Sequence, residues 1–98
     1  MQNVFCEQFH IAASHAALPG HFPGAPVVPG VVLLDRLADL VERRLGRRIA
    51  ALPQVKFLRP LLPGEDAELT VEGTVATVHF RIESGGGLVA SGRAELGP

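Results

Sequence analysis

Two carboxylates, one histidine and one glycine are the residues whose types and setting suit proton transfer on a polarised carbonyl. Asp35 directly follows the run Val31-Val32-Leu33-Leu34. A turn that is apolar all round is expected to be buried on every side. A carboxylate moved out of water has its pKa raised, because burial penalises the charged form, and a carboxyl so tuned can act as a general acid near neutral pH. The competing arrangement places Asp35 on an exposed helix stripe, or pairs it with Arg36 or an arginine of the next turns. Asp39 follows at i+4, so a helix puts both carboxylates on one face, where any titration belongs to the pair; a solvated Asp39 would contribute little. His21 lies between Pro19-Gly20 and Phe22-Pro23-Gly24. Histidine is the usual general base near neutrality, and a loop that cannot flex is a good mount for one. The plainer role is a packed histidine bonded to the backbone. Gly30 stands where a helix would begin, with N–H groups that lack partners and a dipole that favours negative charge. Such an amide could hold a carbonyl oxygen, or the glycine could merely permit the turn.

Other chemistries find little support. His10, His15 and His21 have no partner cysteines and no HExxH pattern, so no metal site is expected. His79 alternates as an outward strand residue. GxSxG, P-loop and GxGxxG patterns are absent, and Gly85-Gly86-Gly87 reads as a hairpin turn. Nine basic and ten acidic residues give a formal charge of −1, which offers no overall basic surface for nucleic acid. The single Cys6 cannot form an internal disulfide and fits a reducing compartment. The start, MQNVFCEQF, lacks the basic and apolar regions of a signal peptide, and no apolar run exceeds four residues. A cytoplasmic protein without a membrane segment is the expectation.

The elements that must position these residues follow from texture. With 98 residues, 47% apolar and 19% charged, the chain reads as one globular domain over residues 1–98. Val4 to Ala13 reads as a first strand. Pro19 to Gly30 holds four prolines and three glycines, which allows neither helix nor central strand. This loop is nonetheless apolar, with Phe22, Ala25, Val27 and Val28, so it should be packed in a fixed shape. Val31 to about Gly46 is the helix: Leu34, Leu37, Ala38, Val41 and Leu45 recur at helical spacing, acids precede arginines as the dipole prefers, and Gly46 is the stop. A short strand around Val55–Phe57 ends at Pro60, and PLLPGED is a turn. Leu69 and Val71 alternate with polar residues. Ala76, Val78, Phe80 and Ile82 do the same, and Leu88, Ala90, Ala94 and Leu96 are expected on one face of a last strand. This is an antiparallel meander with one buried face, in an α+β domain whose sheet wraps one helix. Apolar residues on both sides of the strands suggest a partner.

The stretch GHFPGAPVVPGVVLLD resembles the signature of the 3-hydroxyacyl-[acyl-carrier-protein] dehydratases, hot-dog-fold enzymes of bacterial fatty acid and polyene synthesis. That family writes GHFPGxPxxPG, then hydrophobics, then Glu or Asp. The histidine here is His21 and the acid is Asp35, fourteen positions on as in the family. An Asp at that place looks like the dehydratase-isomerase and aryl-polyene branches. VKFLRPLLPGEDAELTV and GLVASGRAEL are similar to the later strands of the family, so the resemblance covers nearly the whole chain. It implies a hot-dog fold, with an antiparallel β-sheet wrapped around one central α-helix. It implies that His21 removes the α-proton and that Asp35 helps protonate the departing 3-hydroxyl. The Gly30 amide would hold the thioester carbonyl, and Phe22, Val31 and Asp39 would join Gly30 in contacting substrate. No metal or other cofactor is implied. The expected partners are acyl carrier protein and a second hot-dog subunit, in a homodimer or heterodimer. Arg43, Arg44, Arg47, Arg48, Lys56 or Arg59 could dock the acidic carrier, or form only a solvated helix end. The chain departs from the family in having Asp39 where Gln is usual, and in lacking the N-terminal extension of the housekeeping enzymes. A hot-dog thioesterase and a non-catalytic subunit of a dehydratase heterodimer are the rival readings.

Overall fold

The computed structural model describes residues 2–12 and 27–98. Strand β1 (Asn3–Phe9) comes first, then helix α1 (Gly30–Leu45) and strands β2 (Arg48–Phe57), β3 (Ala67–Gly73), β4 (Thr77–Ser84) and β5 (Gly87–Gly97). The strands form one sheet in the order β1-β3-β4-β5-β2, with every pair antiparallel. This is the α+β, hot-dog arrangement expected from the sequence.

The helix begins after Pro29, whose φ of −61° and extended ψ suit an N-cap, and it stops where Gly46 adopts the left-handed conformation at φ 65°. There the Gly46 N–H donates to the Glu42 carbonyl at 2.9 Å. Val32, Leu33, Leu37, Leu40 and Val41 are buried on one stripe. They meet Phe5 and Phe9 of β1, Leu69 and Val71 of β3, Val78, Phe80 and Ile82 of β4, and Val89, Ala90 and Ala94 of β5 in a single core. Burial of each large side chain stabilises the fold by about 1.5–3 kcal/mol. Leu34 and Leu45, expected on that stripe, are only partly buried at its margins.

The described single chain does not bury the first helical turn on every side. Val31 is 62% exposed, and Asp35 is exposed as well. The sheet covers one side of the helix only, so a residue at the centre of the opposite side has no cover among the described residues, whatever its polarity.

β1 ends at Phe9, short of the expected Ala13, and two further strands depart from the sequence expectation. β2 is ten residues long and runs through Pro53, where only a short segment near Val55 was expected. As an edge strand it pairs with β5 alone, and register shifts between Ile49 and Gln54 accommodate a residue without an N–H. In β5, Ile82 pairs with Ala90 but Glu83 pairs with Leu88. The extra residue is a bulge. It lets Val89 and Ala90 both point inward and leaves Leu88 38% exposed, contrary to the expected alternation. The β4–β5 turn uses Gly85 and Gly86 at positive φ, as a two-residue hairpin requires.

Side chains fasten β1 to the helix. Glu7 receives the Arg43 guanidinium at 2.7 Å and lies 3.7 Å from that of Arg36, while Arg36 stacks over Phe9 and Arg44 over Phe5. A second clasp ties the β2–β3 loop to β4. Glu65 accepts from the Leu62 N–H at 3.1 Å, the Ser84 hydroxyl at 2.7 Å and Arg59 Nη2 at 3.2 Å. Arg59 also donates to the Ser84 carbonyl at 2.5 Å. The Leu62 N–H, the Ser84 hydroxyl and Arg59 hold the Glu65 carboxyl below its ordinary value. A group depressed on folding contributes stability above its unfolded pKa, about 4.3 for glutamate, and that contribution is lost as pH falls through the folded value. Glu65→Gln is therefore expected to melt lower than the parent at pH 7, with the gap closing as pH falls below the unfolded value of about 4.3. Thermal melts across that range check it.

Candidate active site at the helix N-terminus

Gly30, Val31, Asp35 and Asp39 all lie on α1. Val31, Asp35 and Asp39 recur at i, i+4 and i+8, which places them on one face. All three are exposed, opposite the buried stripe. The expected pair of carboxylates on one helical face is thus present, and the exposed alternative for Asp35 is the one found in the single chain. Asp35 makes no ion pair among the described residues: Arg36 turns to Glu7, and Arg43 to Glu7 and Asp39. Asp39 accepts from Arg43 Nε at 2.8 Å, so its charge is compensated within its own helix.

The helix start is unusually bare. Pro29 supplies no side-chain cap, and the first turn holds no acid. The Val32 N–H donates to the Pro29 carbonyl at 3.0 Å, whereas the amides of Gly30 and Val31 make no hydrogen bond among the described residues. Among the described residues no cap or first-turn acid compensates the positive end of the helix dipole there. Gly30 is not needed for a positive φ; its value is space. A Cβ added to it would lie 2.7 Å from Cζ of Phe57, so the ring of Phe57 rests against the helix start. Phe57 and Leu58 are 52% and 53% exposed and, with Val31, give this end an apolar rim. Sequence reasoning treated Phe57 as an ordinary strand residue. No local signal pairs the end of β2 with a glycine 27 positions earlier.

His21 and Phe22, with the rest of the proline-rich loop to residue 26, lie outside the described residues. His79 is exposed on the outer sheet face, as expected, and among the described residues no group of histidines, cysteines or carboxylates could hold a metal ion. No described helix is long and apolar enough to cross a membrane. The six basic candidates for docking an acidic partner divide. Arg43 and Arg59 are committed to ion pairs and Arg44 lies over Phe5. Arg47, Arg48 and Lys56 make no ion pair among the described residues. A cleft of about 650 Å³ lies elsewhere, lined by His10, Asp66, Glu68, Glu83 and the Gly85-Gly86 turn. The described residues leave the helix start an open surface, so a closed reaction chamber there needs a further wall.

The model of the family described as "ApeI-like: ApeI dehydratase" matches residues 2–93. The 3-hydroxyacyl-[acyl-carrier-protein] dehydratase FabZ of Streptococcus pyogenes (serotype M5, strain Manfredo) is 36% identical over 87 residues, covering 74% of this chain and 63% of that protein. The chain thus spans less than two thirds of the length of the curated relatives it matches. Among solved structures, an uncharacterized protein from Erwinia carotovora subsp. atroseptica superposes with a TM-score of 0.87 at 24% identity, over 99% of this chain and 85% of that one. The Dehydratase Heterocomplex ApeI:P from Xenorhabdus doucetiae gives a TM-score of 0.87 at 21% identity, over 100% of this chain and 95% of that one. At these identities the structural likeness speaks for the fold.

Proposed function

The chain belongs to the ApeI-like dehydratase family, and from that membership we propose that it removes water from a (3R)-3-hydroxyacyl thioester carried on acyl carrier protein, giving the trans-2-enoyl thioester. The observation that supports the reading is the helix start beside an exposed carboxylate: amides of Gly30 and Val31 that make no hydrogen bond among the described residues, one turn from Asp35. The thioester oxygen accepts from the Gly30 N–H, which stabilises the charge that develops when the α-proton leaves. His21 takes that proton. The electron pair moves into the α,β double bond as the 3-hydroxyl departs, and Asp35 delivers a proton to it, so that water leaves. Atoms and charges balance without a cofactor.

We assign the missing wall to a second hot-dog subunit, either a copy of this chain or a different one. The open face of α1 and the unpaired edge of β2, where only Ile49 and Val55 are even half-buried, support this, as does the likeness to a protein described as a dehydratase heterocomplex. Arg47, Arg48 and Lys56 remain as candidates to meet the acidic carrier.

The deciding experiment supplies a 3-hydroxybutyryl or crotonyl thioester and follows enoyl absorbance together with free thiol. Enoyl formation and its reversal, without thiol release, is the expected result. Thiol release would make the protein a thioesterase, and no change with either substrate would leave it a non-catalytic subunit.

A further inference from the structure

We infer that, on the reading of Asp35 as the proton donor, Arg43 is a positioning residue for that carboxyl: by pairing with Asp39 it keeps the helix face around Asp35 free of a second net negative charge.

Asp35, Asp39 and Arg43 stand at i, i+4 and i+8 on the open face of α1. A bare Asp39 would face Asp35 across one turn, roughly 6 Å away, where two unit charges in a water-like medium interact by an amount that displaces a titration by about half a pH unit. Arg43 takes that charge up, with Nε and Nη2 both 2.8 Å from Asp39 Oδ2. It does not do so as a loose surface partner. Its Nη2 also donates to Glu7 Oε2 at 2.7 Å, so a residue of β1 holds the guanidinium in place over Asp39. Hydrogen bonds from Arg43 to Glu7 and to Asp39 raise its already high pKa, so the cation persists at every working pH. The other described charges around this stretch are Arg36, which turns to Glu7, and Glu42 on the same helix. Lys56, the ionisable residue near this end of β2, pairs in register with Ser91 and lies on the far face of the sheet.

The arrangement makes a prediction in signs. Arg43→Met leaves Asp39 negative beside Asp35. Asp39→Asn leaves Arg43 positive. The double variant removes both charges. The Asp35 carboxyl is titrated by carbon-13 NMR in the full chain with its natural partner subunit, alongside the pH dependence of turnover. The Asp35 midpoint is expected to rise by roughly half a unit to one unit in Arg43→Met and to fall in Asp39→Asn. It should return most of the way in the double variant. The shifts should shrink in 1 M salt. Phe5→Leu provides the control for a purely structural role: it loosens the packing of β1 on the core and lowers the melting temperature, yet removes no charge and no partner of Arg43, so the midpoint stays nearly in place. An unmoved midpoint in Arg43→Met, or shifts of the same sign in both single variants, would overturn the inference. Midpoints that move as expected in a protein with no dehydration activity would support the charge arrangement and overturn the reading of Asp35 as proton donor.

Discussion

His21→Ala is expected to fold as the parent does and to lose about two to four decades of turnover on a 3-hydroxyacyl thioester, the usual worth of a positioned general base. The α-proton of a thioester is weakly acidic, and its removal at neutral pH needs a base poised in that range beside an acceptor for the enolate charge. Among the four histidines only His21 lies in the GHFPG signature and on a segment stiffened by prolines on both sides. His79 faces solvent on the outer sheet, and His10 is exposed at the end of β1. Matched melting curves for parent and variant, with steady-state rates on the same preparation, check this. Turnover within a few-fold of the parent would remove His21 from the mechanism.

The second large effect is recovery by mixing, in the case where the second subunit is a copy of this chain. His21→Ala and Asp35→Asn should each be nearly inactive alone. If each reaction chamber takes His21 from one protomer and Asp35 from its mate, a two-fold dimer holds two equivalent chambers. A hybrid dimer of the two variants then has one chamber with both residues intact and one with neither. Activity should recover to at most about half that of the parent per hybrid, provided the chambers are independent. The physical ground is the geometry of the single chain. Among the described residues, Asp35 and Val31 lie exposed on the helix face away from the sheet, the helix start is open, and the edge of β2 has no neighbour. Mass spectrometry of differently tagged subunits measures the hybrid fraction. Flat activity in the presence of hybrids would place both residues of a chamber in one chain.

By itself the sequence determined what depends on neighbours a few positions apart. The helix is bounded by Pro29 and Gly46 because proline presets the backbone of a helix start and glycine tolerates the left-handed stop. β3 and β4 were legible because apolar and polar residues alternate along them, and the apolar set of each is buried. Four members of the candidate site, Gly30, Val31, Asp35 and Asp39, were legible from helical spacing and from the signature that runs into them, and the same signature brought in His21 and Phe22. The tertiary structure decided everything that rests on contacts between distant segments. It set the Val31–Asp35–Asp39 face outward, because one sheet can cover only one side of a helix. It carried β2 through Pro53, because an edge strand leaves one row of N–H groups unused. It turned Leu88 out through a bulge and brought the ring of Phe57 onto Gly30. It joined Arg43 to Glu7, 36 positions away, and thereby fixed which charges Asp35 meets. Periodicity reports which face of an element is apolar; which other element lies against that face, and which charge ends up beside which, is set only when the chain closes on itself.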